Sequence, residues 1–474
     1  MHNSTNAPAQ ILRRDWAILM FVIFLASAFW GITAHSPDPD NTDSRQYAWT
    51  AWHMLHDGVF SQAPKAGPVP SALGREPGFP LYLSLMLRVV PGLDGVRPEC
   101  LSKAQGCGFK AWRPALFLNG VLIALTGGGV FLLIHAWGGG RLPAWLGGGH
   151  VWLNGEAAEI RHYVLSDDLA MFLSISLSLA LVWAWQKGGW RWIVTGMAAA
   201  ALSLTKAIFL WLVIPAIAAA VLIIAWRGII RRLPIKAHCL MIALFTIAYA
   251  VPVGGWMARN HDVGGITSIS AGRTATALST REVFNHMTPA QYGAAFIYWT
   301  RAMGDSLARR LFPESVWGPF EMGRDTGFYK VGQYRLDPKI AALAQKKGIS
   351  NARAEKEMAG TMIREILNRP LIHIATTIPL IWRGIWIDEF IIFSFPALLW
   401  LFFAKACRDP PLFLALLPGG FSLVFYAAVS LNIPRYQLSA IPALAIAFGI
   451  GGACLWQMFK RWRAKKGVAR DPIH

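Results

Sequence analysis

The stretch NTDSRQYAWTAWHMLHDG, residues 41–58, puts acid and hydroxyl groups at the head of a segment whose apolar residues fall at helical spacing. Asp43 is the first candidate for chemistry, as a carboxylate able to take a proton from an attacking hydroxyl. Thr42 or Asp43 would equally cap the helix, and a helix N-terminus favours the ionised carboxylate. The two roles are compatible. A second set lies in REPGFPLY, where Arg75 and Glu76 precede a Pro-rich entry into an apolar run. Charges at a membrane edge are expensive and suggest a site, with a salt bridge at a turn as the plain alternative. The third set is Asp167 and Asp168 in SDDLAMFL, where Ser166 could cap the helix and both acids could simply complement its dipole. His53 and His56 share a helical face with Asp57 following, and His261 is another possible metal ligand. Hydrogen bonding at the interface is the alternative for the first two histidines.

These residues are carried by a polytopic membrane protein. Of the 474 residues, 54% are hydrophobic and only 15% charged. Apolar runs of roughly 20 residues, each able to cross a hydrocarbon core of about 30 Å, recur along the chain. The first run is too long for a typical signal-peptide core and is followed by no convincing small-x-small cleavage pattern, so a retained helix is expected. About ten spans are expected, near 15–34, 111–136, 143–160, 168–186, 191–205, 207–226, 237–257, 386–403, 411–431 and 438–459, with 191–205 the shortest. The net charge of +19 does not indicate nucleic acid, because much of it sits in short connections and in the tail. Arg141, Lys187, Arg191, Arg227, Arg231, Arg232, Lys236, Lys405, Arg408 and the 460–466 cluster mark the cytoplasmic side.

The chain divides into an N-terminal membrane module, 1–257, with a first outer loop at 35–110; an extracytoplasmic cap, 258–370; and C-terminal spans with a basic tail, 371–474. From Tyr47 onward the first loop reads as an interfacial helix with Gly58 as its stop. The segment PLIHIATTIPLIWRGIW reads as another helix along the interface. The Gly triplets at 127–129, 138–140 and 147–149 suit close helix packing better than phosphate cradling. Cys100 and Cys107 share a polar loop and could be bridged in an oxidising compartment. Cys239, Cys407 and Cys454 read as packing residues.

Several pieces, DSRQY…AWHMLHDGVFS, REPGFPLY, SDDLAMFL, GMAAAALSLTKAIF, VPVGGWMARNHDVGGITSIS and NIPRYQLSAIPALAI, together resemble the GT-C superfamily of integral membrane glycosyltransferases. The resemblance is to the bacterial branch of aminoarabinose transferases and protein O-mannosyltransferases, and it runs from the first span to the last. It implies an all-α, GT-C-like fold in a bacterial inner membrane with the active site on the periplasmic face. It further implies a polyprenyl-phosphate sugar donor, a glycan, lipid or protein acceptor, and inversion at the anomeric carbon. Asp43 matches the base of the first outer loop. Glu76 matches a carboxylate that in some relatives helps hold a divalent metal, although Glu-Pro-Gly stands here in place of the commoner Pro-Pro. Asp167 matches the acid of a Thr/Ser-Glu-Pro-Leu pattern, with a second Asp, Asp168, replacing the Pro.

A departing lipid phosphate needs cationic stabilisation. Lys206, Arg259 and Arg435 are placed for it, with headgroup anchoring by snorkelling as the alternative. Arg75, Asp168 and Tyr436 complete the expected substrate contacts. An O-antigen ligase or polymerase would share the many spans and an arginine-bearing outer loop, but the early acidic loop favours the first reading. A lipid or glycan transporter would show paired repeats and polar broken helices near the midplane. Here the charges gather at the outer edge.

Overall fold

A computed structural model describes residues 13–33, 42–89, 99, 113–230, 235–387 and 390–468. Cys100, Cys107, Arg231 and Arg232 lie outside the described residues. The N-terminal helices are α1 (Arg13–Ile32), α2 (Thr42–His56), α3 (Gly78–Val89), α4 (Arg113–Ala136), α5 (Arg141–Trp152), α6 (Gly155–Ile160), α7 (Asp167–Lys187), α8 (Arg191–Thr205), α9 (Leu210–Ile229) and α10 (Lys236–Gly264). A cap follows, with α11 (Thr274–Val283), α12 (Pro289–Tyr298), α13 (Gly304–Leu311), α14 (Glu314–Trp317), α15 (Phe328–Tyr334), α16 (Asp337–Lys347) and α17 (Asn351–Leu367). The chain closes with α18 (Pro370–Ile385), α19 (Ile391–Ala404), α20 (Pro410–Val429) and α21 (Ile441–Val468). No strand occurs among the described residues.

Eight of these helices, α1, α4, α7, α9, α10, α19, α20 and α21 with their adjoining turns, are long and apolar enough to cross a membrane. The other two expected spans differ. The 143–160 stretch is broken, because α5 stops at Trp152 and the Asn154 side chain accepts from Ala157 N at 2.9 Å to start α6. At 191–205, α8 has 15 residues, a rise of about 22 Å that is short of a full hydrocarbon core. Between 386 and 403 the helix begins only at Ile391. At the other end, α10 continues past residue 257 to Gly264, where Gly265 at φ 67° ends it.

The core lies where α4, α5, α7 and α21 meet, and Phe131, Ile134, Val151, Met171, Leu444 and Ile446 are buried there. Small residues allow this approach. A Cβ on Gly127 would fall 2.2 Å from Trp152 Nε1, and one on Gly147 would fall 3.0 Å from Ala445 O. The middle triplet is different: Gly138 and Gly140 have φ of +90° and +84°, so they form the turn between α4 and α5. At the periphery α9 exposes Trp211, Ile214, Leu222 and Ile223, as a lipid-facing helix should. Cys239 and Cys407 are exposed, not packed, because each sits at the end of a peripheral helix; Cys454 lies against the core.

Polar contacts gather at the two ends of the bundle. At the end rich in basic residues, Arg141 pairs with Asp15 at 2.7 Å and Trp137 donates to Asp409 at 2.7 Å. The first joins α1 to α5, and the second joins the end of α4 to the start of α20. At the opposite end Arg161 donates to Trp30 O at 3.0 Å and to Thr33 at 3.1 Å, fastening α1 to the segment before α7. The first outer loop, the cap and the turn before α21 meet at that second end.

Candidate active site

The expected helix after the first span is α2. It stops as anticipated, with Asp57 and Val59 both donating to His53 O and Gly58 at φ 65°. Tyr47, Ala48, Ala51 and Trp52 are buried on its inner face, and Tyr47 meets Phe79 of α3 edge to face. That packing leaves Asp43, in the first turn, 26% exposed at the head of the helix. Its carboxylate is taken up by guanidiniums. Arg75 pairs with Oδ1, Arg273 approaches the same oxygen at 3.6 Å, and Arg435 donates to Oδ2 at 3.1 Å.

Each cation comes from a different element. Arg75, nearly buried, also donates to Gln46 through Nε at 3.0 Å, and its guanidinium lies over the Tyr47 ring at 4.8 Å. Gly78 sets its depth. A Cβ there would fall 2.4 Å from Thr205 Oγ1 and 2.9 Å from Leu204 O. Glycine in REPG therefore lets the start of α3 lie against the end of α8, which brings Arg75 to the level of Lys206.

Asp167 forms the second half of the site. It opens α7, is 2% exposed, and accepts from Lys206 Nζ at 2.9 Å while Arg435 Nε lies 3.8 Å from its other oxygen. Arg435, in the turn Pro434–Ala440, therefore bridges Asp43 and Asp167. Tyr436 stacks on Tyr426 at 5.3 Å and carries the Arg435 guanidinium over its ring at 5.7 Å. Ser166 occupies the N-cap position of α7, but its hydroxyl makes no cap bond and instead meets Tyr47 Oη at 3.3 Å. That contact ties α2 to α7 and fixes the distance between the two acids.

The cluster sets two carboxylates, Asp43 and Asp167, against four cations, Arg75, Arg273, Arg435 and Lys206. Burial alone would raise the Asp43 pKa. The Arg75 guanidinium, then Arg273 and Arg435, outweigh burial and hold the carboxyl well below the usual range. Asp43 is thus ionised at any physiological pH. Its contribution to stability is complete above the unfolded value near 3.8 and is lost only as acid carries the pH down through the depressed native one.

Other expected site residues are placed differently. Asp168 is 1% exposed with neither oxygen hydrogen-bonded. Glu76 accepts from Ser270 at 3.2 Å. Arg259 donates to Ala72 O at 2.8 Å and to Asn260 at 2.8 Å, and lies over Trp256 at 4.9 Å, so it clamps the loop that carries Arg75. His261 is exposed and meets Thr267 at 3.3 Å. His53 is fully buried between Asp57 at 2.6 Å and Ala63 O at 3.0 Å. Glu76 and His261 therefore have separate partners, and among the described residues no group of three or more His, Cys, Asp or Glu lies together.

Sequence reasoning missed Arg273, Gln46 and Glu156. Arg273 sits in the irregular start of the cap, where no periodicity marks it. Gln46 was visible one turn after Asp43, since positions i and i+3 share a helical face. Glu156, in the short helix α6 beyond the eight spans, pairs with Arg301 at 3.4 Å. Burial pushes its carboxyl up to about 7 against the opposing pull of Arg301, with Glu159 and Asp167 adding to the rise.

The fold is similar to that of a solved archaeal oligosaccharyltransferase. The oligosaccharyltransferase of Archaeoglobus fulgidus in its apo form matches with a TM-score of 0.50 and 12% identity, over 96% of this chain and 53% of that one. ArnT from Cupriavidus metallidurans bound to undecaprenyl phosphate matches with a TM-score of 0.44 and 12% identity, over 93% of this chain and 60% of that one. Apo ArnT gives a TM-score of 0.38 at 12% identity, covering 92% and 78%. The chain thus spans about half to three fifths of the length of the first two. No protein-family model matches the sequence, and no curated protein does.

Proposed function

We propose that the chain is a membrane glycosyltransferase that moves a sugar from a polyprenyl-phosphate carrier to an acceptor hydroxyl. The acceptor is a glycan, lipid or protein at the periplasmic face of a bacterial inner membrane. The observation that carries this reading is the Asp43–Arg435–Asp167 bridge with its surplus of positive charge at the junction of first loop, cap and spans.

A carboxylate held by three guanidiniums is a weak base, and the anionic donor resolves that difficulty. The lipid phosphate competes for Arg435 and Arg273, the more exposed partners, and draws them from Asp43. Arg75 stays, because Gln46 and Tyr47 hold it. With fewer cations on it, Asp43 gains basicity when the donor is in place. Asp43 then accepts the acceptor hydroxyl's proton while that oxygen bonds to the anomeric carbon. The bond from the anomeric carbon to the phosphate oxygen breaks, and its electron pair leaves on the phosphate, where the freed cations balance the added charge. One in-line displacement inverts the anomeric centre. Purified protein in liposomes, given a polyprenyl-phosphate sugar and an envelope extract as acceptor, should transfer the sugar with inversion. A protein that binds the donor yet releases no polyprenyl phosphate with any acceptor would defeat the reading.

A further inference from the structure

Two arginines are buried where the cap meets the spans, and they differ in how their donors are used. A guanidinium has five N–H donors, and buried ones are ordinarily satisfied. Arg281 on α11, 0% exposed, follows the rule. It donates to Ala427 O at 2.8 Å, Asn285 at 2.6 Å, His373 O at 2.7 Å, Thr376 at 3.0 Å and Thr377 at 2.8 Å. Arg383 on α18 is 7% exposed, yet it makes one hydrogen bond, from Nη1 to Leu431 O at 3.3 Å. Its guanidinium stacks on Trp299 at 5.0 Å, and no carboxylate pairs with it among the described residues. A buried cation with most of its donors unspent is costly unless an anion completes it.

The surroundings indicate which anion. The phenols of Tyr298 and Tyr436 are near enough to Arg383 to interact with it electrostatically. Tyr436 follows Arg435, the bridge of the active site. Tyr298 also lines an open cleft of about 560 Å³ in the cap, with Glu321, Met322, Gly323 and Arg324. Tyr298 thus connects Arg383 to a cap cleft, and Tyr436 connects it to the Asp43 centre. Trp299 gives the guanidinium a flat apolar backing, which leaves its edge to a forked oxyanion.

We infer that Arg383, backed by Trp299, is the anchor for an oxyanion, phosphate or carboxylate, carried by the acceptor, which enters over Tyr298 and turns its hydroxyl toward Asp43. That the anion belongs to the acceptor rests on the glycosyl-transfer reading; that Arg383 binds an oxyanion does not.

Inorganic phosphate is the probe. Equilibrium dialysis with the full chain in a phosphate-free detergent should show that Arg383→Met loses one phosphate site. Arg383→Lys should keep that site with affinity lowered about tenfold, since it retains the charge but not the fork. Melting temperature separates this role from a structural one. Arg383→Met should melt no lower than the wild type, because it removes an uncompensated buried charge. Arg281→Met should melt well below it. Equal phosphate binding in wild type and Arg383→Met overturns the anion site. A sharp fall in the melting temperature of Arg383→Met returns the residue to a structural role. In transfer assays Arg383→Met should raise the acceptor KM about 10- to 100-fold and leave the donor KM unchanged, the size expected for losing a charge-assisted hydrogen-bond pair. A rise in the donor KM alone overturns the acceptor assignment. Absence of any sugar transfer would defeat the catalytic reading and leave the phosphate result to decide the site.

Discussion

Asp43 and Asp167 share one arginine, but they are held in opposite ways. Asp43 is about one-quarter exposed at the head of a surface helix, and two of its three guanidiniums arrive from irregular segments. Asp167 is buried at the mouth of a span and locked to Lys206 from the neighbouring helix end. A carboxylate that takes up and releases a proton needs a route to solvent and partners that can move away. Asp43 is open to solvent and has a largely exposed partner in Arg273, whereas Asp167 is buried. Asp167 is better suited to aiming Lys206 and Arg435 than to proton transfer.

The contrast predicts opposite consequences for matched substitutions. Asp43→Asn should lower turnover by about 10²- to 10⁴-fold, the range for losing a general base, with a melting temperature close to wild type. An unchanged rate would remove Asp43 from the chemistry. Lys206→Met leaves Asp167 buried opposite a lost partner and should destabilise by about 3–5 kcal/mol, read as a fall in denaturation midpoint. The double variant Asp167→Asn/Lys206→Met should recover much of that loss. No recovery would mean that the two do not act as a pair. Arg273→Ala, which removes a largely exposed guanidinium, should change stability by about 1 kcal/mol or less but raise the donor KM. Equal effects on donor and acceptor would break the assignment of Arg273 to the phosphate.

The smallest effect concerns Glu156. Its native pKa of about 7 stands above the unfolded value of 4.5, so the fold favours the protonated form. Stability on its account is whole below pH 4.5 and declines as pH rises to about 7. Glu156→Gln should therefore melt higher than wild type at pH 8, with the difference shrinking towards pH 5. A constant difference across that range would show that ionisation of Glu156 is not responsible.

Much of the frame was legible in the sequence because lipid imposes a coarse rule: an apolar run of sufficient length becomes a helix. The eight long helices and the stop of α2 at Gly58 were readable on that basis. The break at Asn154 was also written in the chain, since Asn followed by Gly-Glu inside WLNGEAAEI is a helix start, but the surrounding apolar residues hid it. The acids could be read because they sit at helix beginnings, where composition changes abruptly. The cations that surround them could be read only in part. Lys206 and Arg435 adjoin spans, whereas Arg273 reaches Asp43 across 230 residues from a segment with no period. Arg259 looked like a phosphate ligand because position alone cannot distinguish an arginine facing a cavity from one clamping a loop. Partner number separates Arg281 from Arg383, and it is not encoded locally.

The bonds at the basic end of the bundle bear on what this protein can let through. Asp15 with Arg141 latches α1 to α5, and Asp409 with Trp137 latches α4 to α20, on the side away from Asp43. A bundle latched at one end and charged at the other is expected to exchange its cargo at the charged end or sideways from the bilayer. In a planar lipid membrane such a molecule should pass no ionic current, however fast it turns over.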